Sequence, residues 1–206
     1  MKNIIIRLET EEDYRETENV VREAFWDVYQ PGCDEHLILH KLRKSQAFVE
    51  ELDFVACDTS ENSKIVGNIV YSEAKVSNNQ NQEYTVLCLG PLSILPSYQG
   101  KGIGSLLVNN SLQKAKSLDY KGVFLFGDPE YYRRFGFESA KNYAITTSEG
   151  ENPDAFMVLE LYDTGLVGIN GKFIEDPAFE VENEELESFE KEFPDREKHV
   201  TDTQLR

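Results

Sequence analysis

The sequence predicts a mixed α/β domain of the α+β kind, and three observations predict it. Some short segments alternate apolar and polar residues or run continuously apolar, whereas others repeat their apolar residues every three or four positions. Three strand-like segments between Phe54 and Leu95 follow one another across polar turns with no helix between them, which reads as an antiparallel meander. Helical segments lie on both sides of that meander, giving the order β-α-α-β-β-β-α-β-α-β-β.

Ile4–Leu8 opens the chain as a strand. Residues 11–28 place Tyr14, Val21, Ala24, Phe25 and Val28 on one helical face. Pro31-Gly32 breaks that helix, and residues 35–45 form a second, short one. Residues 54–57, 65–76 and 84–95 are the meander strands, separated by the polar turns 58–64 and 77–83. Residues 105–118 form a helix, with Val108, Leu112, Ala115 and Leu118 spaced by three or four, and Gly122 follows it. Val123–Phe126 is continuously apolar, as a strand buried on both faces would be. Residues 130–135 fit one or two helical turns, and residues 156–161 are a last strand. Leu186, Phe189 and Phe193 recur at helical spacing before Pro194, which predicts a short acidic helix. The chain thus divides into a domain over residues 1–162 and an acidic C-terminal extension over 163–206.

At 206 residues with 40% apolar side chains, the chain is long enough to bury a full core. Its net charge of −17 excludes indiscriminate binding to nucleic acid or to anionic membrane surfaces. No apolar run approaches the roughly 20 residues needed to cross a bilayer, and the N-terminal run of three isoleucines is too short for a signal peptide. Cys33, Cys57 and Cys88 are few and unclustered, which argues for a reducing compartment. The expectation is a cytoplasmic protein. Charge is unevenly spread: residues 99–141 hold seven cations against four anions, and residues 176–206 hold eleven anions against four cations. A basic island in an acidic chain suits an anionic ligand, although solvated helix faces would produce it equally well.

Gln99-Gly100-Lys101-Gly102-Ile103-Gly104 lies between a strand and a helix. Its glycines let the backbone approach a ligand. The first amides of the helix lack intrahelical partners and sit at the positive end of the dipole, so the loop reads as a phosphate site. No Gly-Lys-Ser/Thr ending follows the first glycine, which excludes a Walker loop. Ser105 stands where a dinucleotide fingerprint would have its third glycine. What remains is a Gln-x-x-Gly-x-Gly pattern.

That pattern, Leu89–Pro96 (LGPLSILP) before it and Tyr132-Arg133-Arg134-Phe135-Gly136-Phe137 after it resemble the GCN5-related N-acetyltransferase (GNAT) superfamily. Gly127–Phe137 (GDPEYYRRFGF) and the strand at 156–161 are closer still to its bacterial YhbS-like subgroup. The resemblance spans about residues 3–162. It implies a central, mostly antiparallel twisted sheet flanked by helices, and a transferase that moves an acetyl group from acetyl-CoA to a primary amine in a ternary complex. The alternative is a catalytically silent acyl-CoA-binding domain. It further implies that Leu92, Ser93 and Ile94 run along the pantetheine arm, that the amides of Gly100, Lys101, Gly102, Ile103, Gly104 and Ser105 hold the pyrophosphate, and that Gln99 belongs to the same cofactor-binding loop. Lys101 and Lys114 are candidates for the 3′-phosphate.

Tyr132 falls where the family places its general-acid tyrosine, with Tyr131 as a neighbour that could substitute. An alkylamine has a pKa of about 10.4, so presenting it neutral near pH 7.5 costs about 4 kcal/mol, which a base or desolvation must meet. The strand Thr85–Leu89 carries no acid where many relatives place a glutamate, leaving Glu83, Glu73 or a water chain. The acceptor is expected to be a small-molecule or peptidyl amine, cationic in view of the acidic surface. No nucleic acid, membrane or metal is expected as a partner, and a homodimer is left open. His36 and His40 share a helical face but lack a third ligand. Cys88 reads as a buried thiol, and Trp26 and Tyr29 as core or as walls of an acceptor pocket.

Overall fold

The computed structural model describes residues 3–204. Its sheet has nine strands, β1 (Ile4–Leu8), β2 (Phe54–Asp58), β3 (Lys64–Ser77), β4 (Glu83–Ile94), β5 (Gly122–Phe126), β6 (Glu138–Ser139), β7 (Ile145–Thr146), β8 (Phe156–Glu160) and β9 (Gly171–Ile174). The spatial order is β1-β2-β3-β4-β5-β8-β6, with β9 joined to β3 and to β7. Pairing is antiparallel except at β4–β5 and β7–β9, so the expected mostly antiparallel sheet is present.

Five helices accompany it: α1 (Tyr14–Phe25), α2 (Glu35–Leu42), α3 (Ile103–Ser117), α4 (Pro129–Tyr132) and α5 (Asn183–Glu190). The first is shorter than its apolar pattern predicts. Glu11–Asp13 is a separate 3-10 turn, and Trp26 leaves helical space with ψ of 121°. Asp13 joins the turn to β1, because its carboxylate accepts from the Thr10 N–H at 2.9 Å and from the Arg7 guanidinium at 2.6 Å. That partner holds the Asp13 carboxyl at about 2. By contrast, α3 begins two residues before its predicted start. Its N-cap is Gly102 at φ +81°, a backbone angle that an L side chain adopts only at a cost.

One sheet face packs on α3 through Val66, Tyr71, Leu87, Leu89, Leu107, Val108, Val123 and Leu125. On the other face, Val70 meets Val21 of α1 and Leu39 and Leu42 of α2. Further along, Val76, Val86, Cys88, Phe124, Phe156 and Phe173 form a second cluster. The period of two along β4 therefore decides which cluster each side chain joins.

Two departures from regular pairing shape the molecule. Along β4, Leu92 opposes Ile69 and Leu89 opposes Tyr71, so Gly90 and Pro91 together face Val70, a bulge that bends the strand. At the same point the parallel pairing with β5, which includes Leu87↔Val123 and Cys88↔Phe124, ends. Beyond Cys88, β4 stays with β3 and parts from β5, and a gap opens between them. Separately, β2 covers the edge of β3 from Lys64 to Ile69, and β9 takes the same edge at Lys75–Ser77.

Beyond β9, α5 lies on α2. Phe189 and Phe193 bury themselves against Leu37, while Glu190 meets Arg22 at 2.9 Å and His36 Nε2 at 2.6 Å. The Trp26 indole N–H donates to the Glu197 carbonyl at 3.0 Å.

Candidate active site

The gap between β4 and β5 widens into a cleft of about 1160 Å³. Its floor at one end is chain that the sequence marks: Leu92, Ile94, Gln99, Gly100, Gly102, Ile103, Gly104 and Ser105 all line it. The Leu95 N–H donates back to Val66 of β3, so by strand alternation the peptide groups of Ile94 and Leu92 face the opposite, open edge. The Gln99 amide ties the loop to that edge by donating to the Ile94 carbonyl at 3.1 Å. Gly100 at φ +71° and Gly102 at φ +81° turn the chain into α3. Its first-turn N–H groups lack helical acceptors and open toward the cleft.

Three of the predicted residues stand apart. Ser93 does not line the cleft. It is 1% exposed, and its hydroxyl is buried without a hydrogen-bond partner. Lys101 is exposed, with its ammonium 4.8 Å from the centre of the Tyr98 ring. Lys114 lies in the last turn of α3, roughly 16 Å along the helix axis from its start. The cation that does line the cleft is Arg134, whose guanidinium rests 4.8 Å from the Tyr131 ring centre. The sequence shows Arg134 only as one of seven cations in the basic island.

Tyr131 and Tyr132 both reach the cleft from α4, whose start Asp128 caps by accepting from the Glu130 N–H at 2.9 Å. Their rings meet edge to face at 5.0 Å. The Tyr131 hydroxyl lies over the glycine loop, where a Cβ on Gly104 would come within 2.4 Å of it. Tyr132 instead packs against Gly127, where a Cβ would come within 2.4 Å of its ring, and meets Phe137 at 5.6 Å. Burial pushes the Tyr132 phenol well above its ordinary value, so it holds its proton at neutral pH.

The far end of the cleft is acidic. Asp34, Glu35, Asp128, Asp154 and Glu175 line it together with Phe25, Tyr29, Ile38 and Phe179. Glu35 is the first residue of α2; burial is the main cause that raises its carboxyl to about 7, with the charge of Asp34 adding to it. Burial likewise raises Glu175, with Glu149 and Glu180 contributing. Sequence reading missed this group. Its members come from four separate places in the chain, and the one signal available was the lack of an acid in Thr85–Leu89.

The acids named for the base role sit elsewhere. Glu83 pairs with Lys75 at 2.7 Å, and Glu73 accepts from the Tyr120 hydroxyl at 2.8 Å, both outside the cleft. His36 is buried against Glu190 and Cys33, and His40 Nδ1 contacts Glu18 at 2.8 Å. Among the described residues no three His, Cys, Asp or Glu side chains gather as a metal site would require. Cys88 is buried, and burial raises its thiol. Of the two aromatic residues proposed as walls, Tyr29 lines the cleft, whereas Trp26 is buried beside Arg22. No helix among the described residues is long and apolar enough to cross a membrane.

Comparison with known proteins places this geometry. The model of the acetyltransferase (GNAT) family matches residues 12–137. The uncharacterized N-acetyltransferase YhbS of Escherichia coli is 27% identical over 168 residues, which cover 82% of this chain and 93% of that protein. The crystal structure of E. coli YhbS in complex with CoA superposes with a TM-score of 0.75 at 26% identity, covering 86% of this chain and 92% of that one. A GNAT family acetyltransferase from Brucella melitensis in complex with acetyl-CoA gives a TM-score of 0.69 at 27% identity, covering 87% of this chain and all of the other.

Proposed function

The chain belongs to the acetyltransferase (GNAT) family, and from that premise we propose that it transfers the acetyl group of acetyl-CoA to a primary amine by direct attack in the cleft. The observation that carries this reading is the meeting, in one cleft, of an open β4 edge, a glycine-lined helix start and a protonated tyrosine. The peptide groups of Leu92 and Ile94 suit the amide-bearing pantetheine arm, as an added strand pairs with a free edge. The N–H groups from Gly100 to Ser105 suit the pyrophosphate, with Arg134 adding charge beside them. Lys101 contributes backbone in this reading, whereas the Ser93 peptide groups turn toward β3. The bound thioester supplies an activated acetyl carbon.

Tyr132 is then the general acid that protonates the departing sulfur. Its raised pKa keeps the proton available until a thiolate forms beside it. The acidic far wall favours a cationic acceptor, a small molecule or a peptide, over a neutral or anionic one.

The test begins with thermal unfolding in the presence of acetyl-CoA, ATP or NAD. Acetyl-CoA raises the midpoint and the two nucleotides do not. A mass-resolved screen of amines with acetyl-CoA then yields an N-acetylated product. Stabilisation by acetyl-CoA with no product from any amine would make the chain an acyl-CoA-binding module. Equal stabilisation by ATP would remove the reading altogether.

A further inference from the structure

The transfer needs a group to take a proton from the acceptor; Thr85–Leu89 offers none, and Glu83 at the start of β4 lies outside the cleft. Glu35 lines the same cleft as Tyr132 and the glycine loop. Among the described residues no cation lies within ion-pair distance of it. Its Oε2 accepts from the Asp34 N–H at 3.2 Å. A half-buried carboxylate without a counter-ion, beside a cleft large enough for a second substrate, is placed to meet a cation that arrives from outside.

We propose that Glu35 is the general base of the acetyl transfer, its carboxylate receiving the proton of the acceptor's ammonium group inside the cleft. The assignment rests on the acetyltransferase reading of that cleft. Asp128 is engaged as the cap of α4. Glu175 is influenced by Glu149 and Glu180, not by the tyrosines. Glu35 and Asp128 both act electrostatically on Tyr29, and Tyr29 acts on Tyr132, so base, spanning phenol and acid share one region. Besides the two tyrosines of α4, the charged and titratable groups that line the cleft with Glu35 are Asp34, Tyr29, Cys88, Tyr98, Asp128, Asp154, Glu175 and Arg134, and its charge also reaches Cys33.

The protons balance. Glu35 takes one from the ammonium, leaving a neutral amine. The nitrogen lone pair forms the C–N bond to the acetyl carbon as the C–S bond breaks. The second N–H proton reaches the departing sulfur through the Tyr132 hydroxyl, which gives one proton and recovers another. Glu35 then releases its proton to water, so an ammonium and a thioester become an amide, a thiol and a free proton.

The experiment uses the full chain, acetyl-CoA, and the fastest acceptor from a panel of cadaverine, spermidine, kanamycin and an alanyl peptide. With wild type, kcat/KM rises with pH along a limb centred near the Glu35 value of about 7. Glu35→Gln lowers kcat by about 100-fold and flattens that limb, while the Kd for acetyl-CoA, read by calorimetry, stays within a factor of about two. Glu35→Asp keeps the limb and part of the rate, which maintains the test if the glutamine variant folds poorly. With methoxyamine, neutral at pH 7, the loss in Glu35→Gln is at least tenfold smaller, a difference that a purely structural role would not produce. A fast Glu35→Gln enzyme with its limb intact overturns the base assignment alone. A wild type that binds acetyl-CoA and acetylates none of the panel overturns the acetyltransferase reading and this assignment with it.

Discussion

At the α3 end of the cleft the walls come largely from residues between Leu92 and Ser105, which the proposed reading uses through their peptide groups. At the α2 end the walls are side chains drawn from five distant places: Tyr29, Glu35, Asp128, Asp154 and Glu175. The first end can be shared by many acceptor specificities, because backbone N–H and C=O groups do not change with side-chain identity. The second is free to vary residue by residue. On the proposed reading, a donor site built from main chain and an acceptor site built from side chains would let one fold keep a common donor and change its acceptor.

The largest expected effect tests whether the acceptor end depends on the C-terminal segment. Phe189 is 6% exposed beneath α5 and packs beside His36 and His40 of α2. Phe189→Ala is expected to cost about 3 kcal/mol, seen in urea unfolding, and to raise KM for the amine more than Kd for acetyl-CoA. Equal changes in both would mean that the two ends are not separate. Tyr132→Phe is expected to lower kcat by about 100-fold, or about 2.7 kcal/mol, with acetyl-CoA binding unchanged in calorimetry. A rate near wild type would remove Tyr132 from the acid role. Gly102→Ala forces a side chain into φ +81°, which costs about 1–2 kcal/mol. It is expected to weaken acetyl-CoA about tenfold while leaving KM for the amine nearly fixed.

The pH dependence sets two buried groups against each other. Burial holds the His36 imidazole down at about 4. Its unfolded counterpart titrates near 6.5. The unfolded chain therefore binds a proton that the folded one refuses, and stability falls as the pH drops from about 6.5 toward 4. Glu35 acts in the opposite sense. Its folded value of about 7 lies above the ordinary one, so stability falls as the pH rises from about 4.5 to 7. Urea midpoints from pH 4 to 8 are expected to lose the acid-side slope in His36→Gln. In Glu35→Gln they gain stability at pH 8 but not at pH 4.

How much of this the sequence shows follows the same division. The strands of the meander and the helices α1, α2 and α3 are legible because each spans several periods of its own repeat. The glycine loop is legible because glycine is favoured where φ is positive, as at Gly100 and Gly102. Strands β6, β7 and β9 have two to four residues, too few for any period to show. Arg134 and Glu35 carry no local signature, since what distinguishes each is its neighbours across the cleft. Glu83 and Glu73 look near the loop in sequence, but β4 runs away from the cleft in their direction, and both end beside other partners. Ser93 falls in the right stretch, yet strand alternation turns its hydroxyl inward.

The pairing of β9 with Lys75–Ser77 has a consequence for solubility. Without it, the upper rim of β3 would present unmatched amides and carbonyls in an extended conformation, a template on which a second molecule could add its own strand. The C-terminal segment thus serves as a guard against self-association, and a protein cut short before Gly171 is expected to oligomerise through that rim.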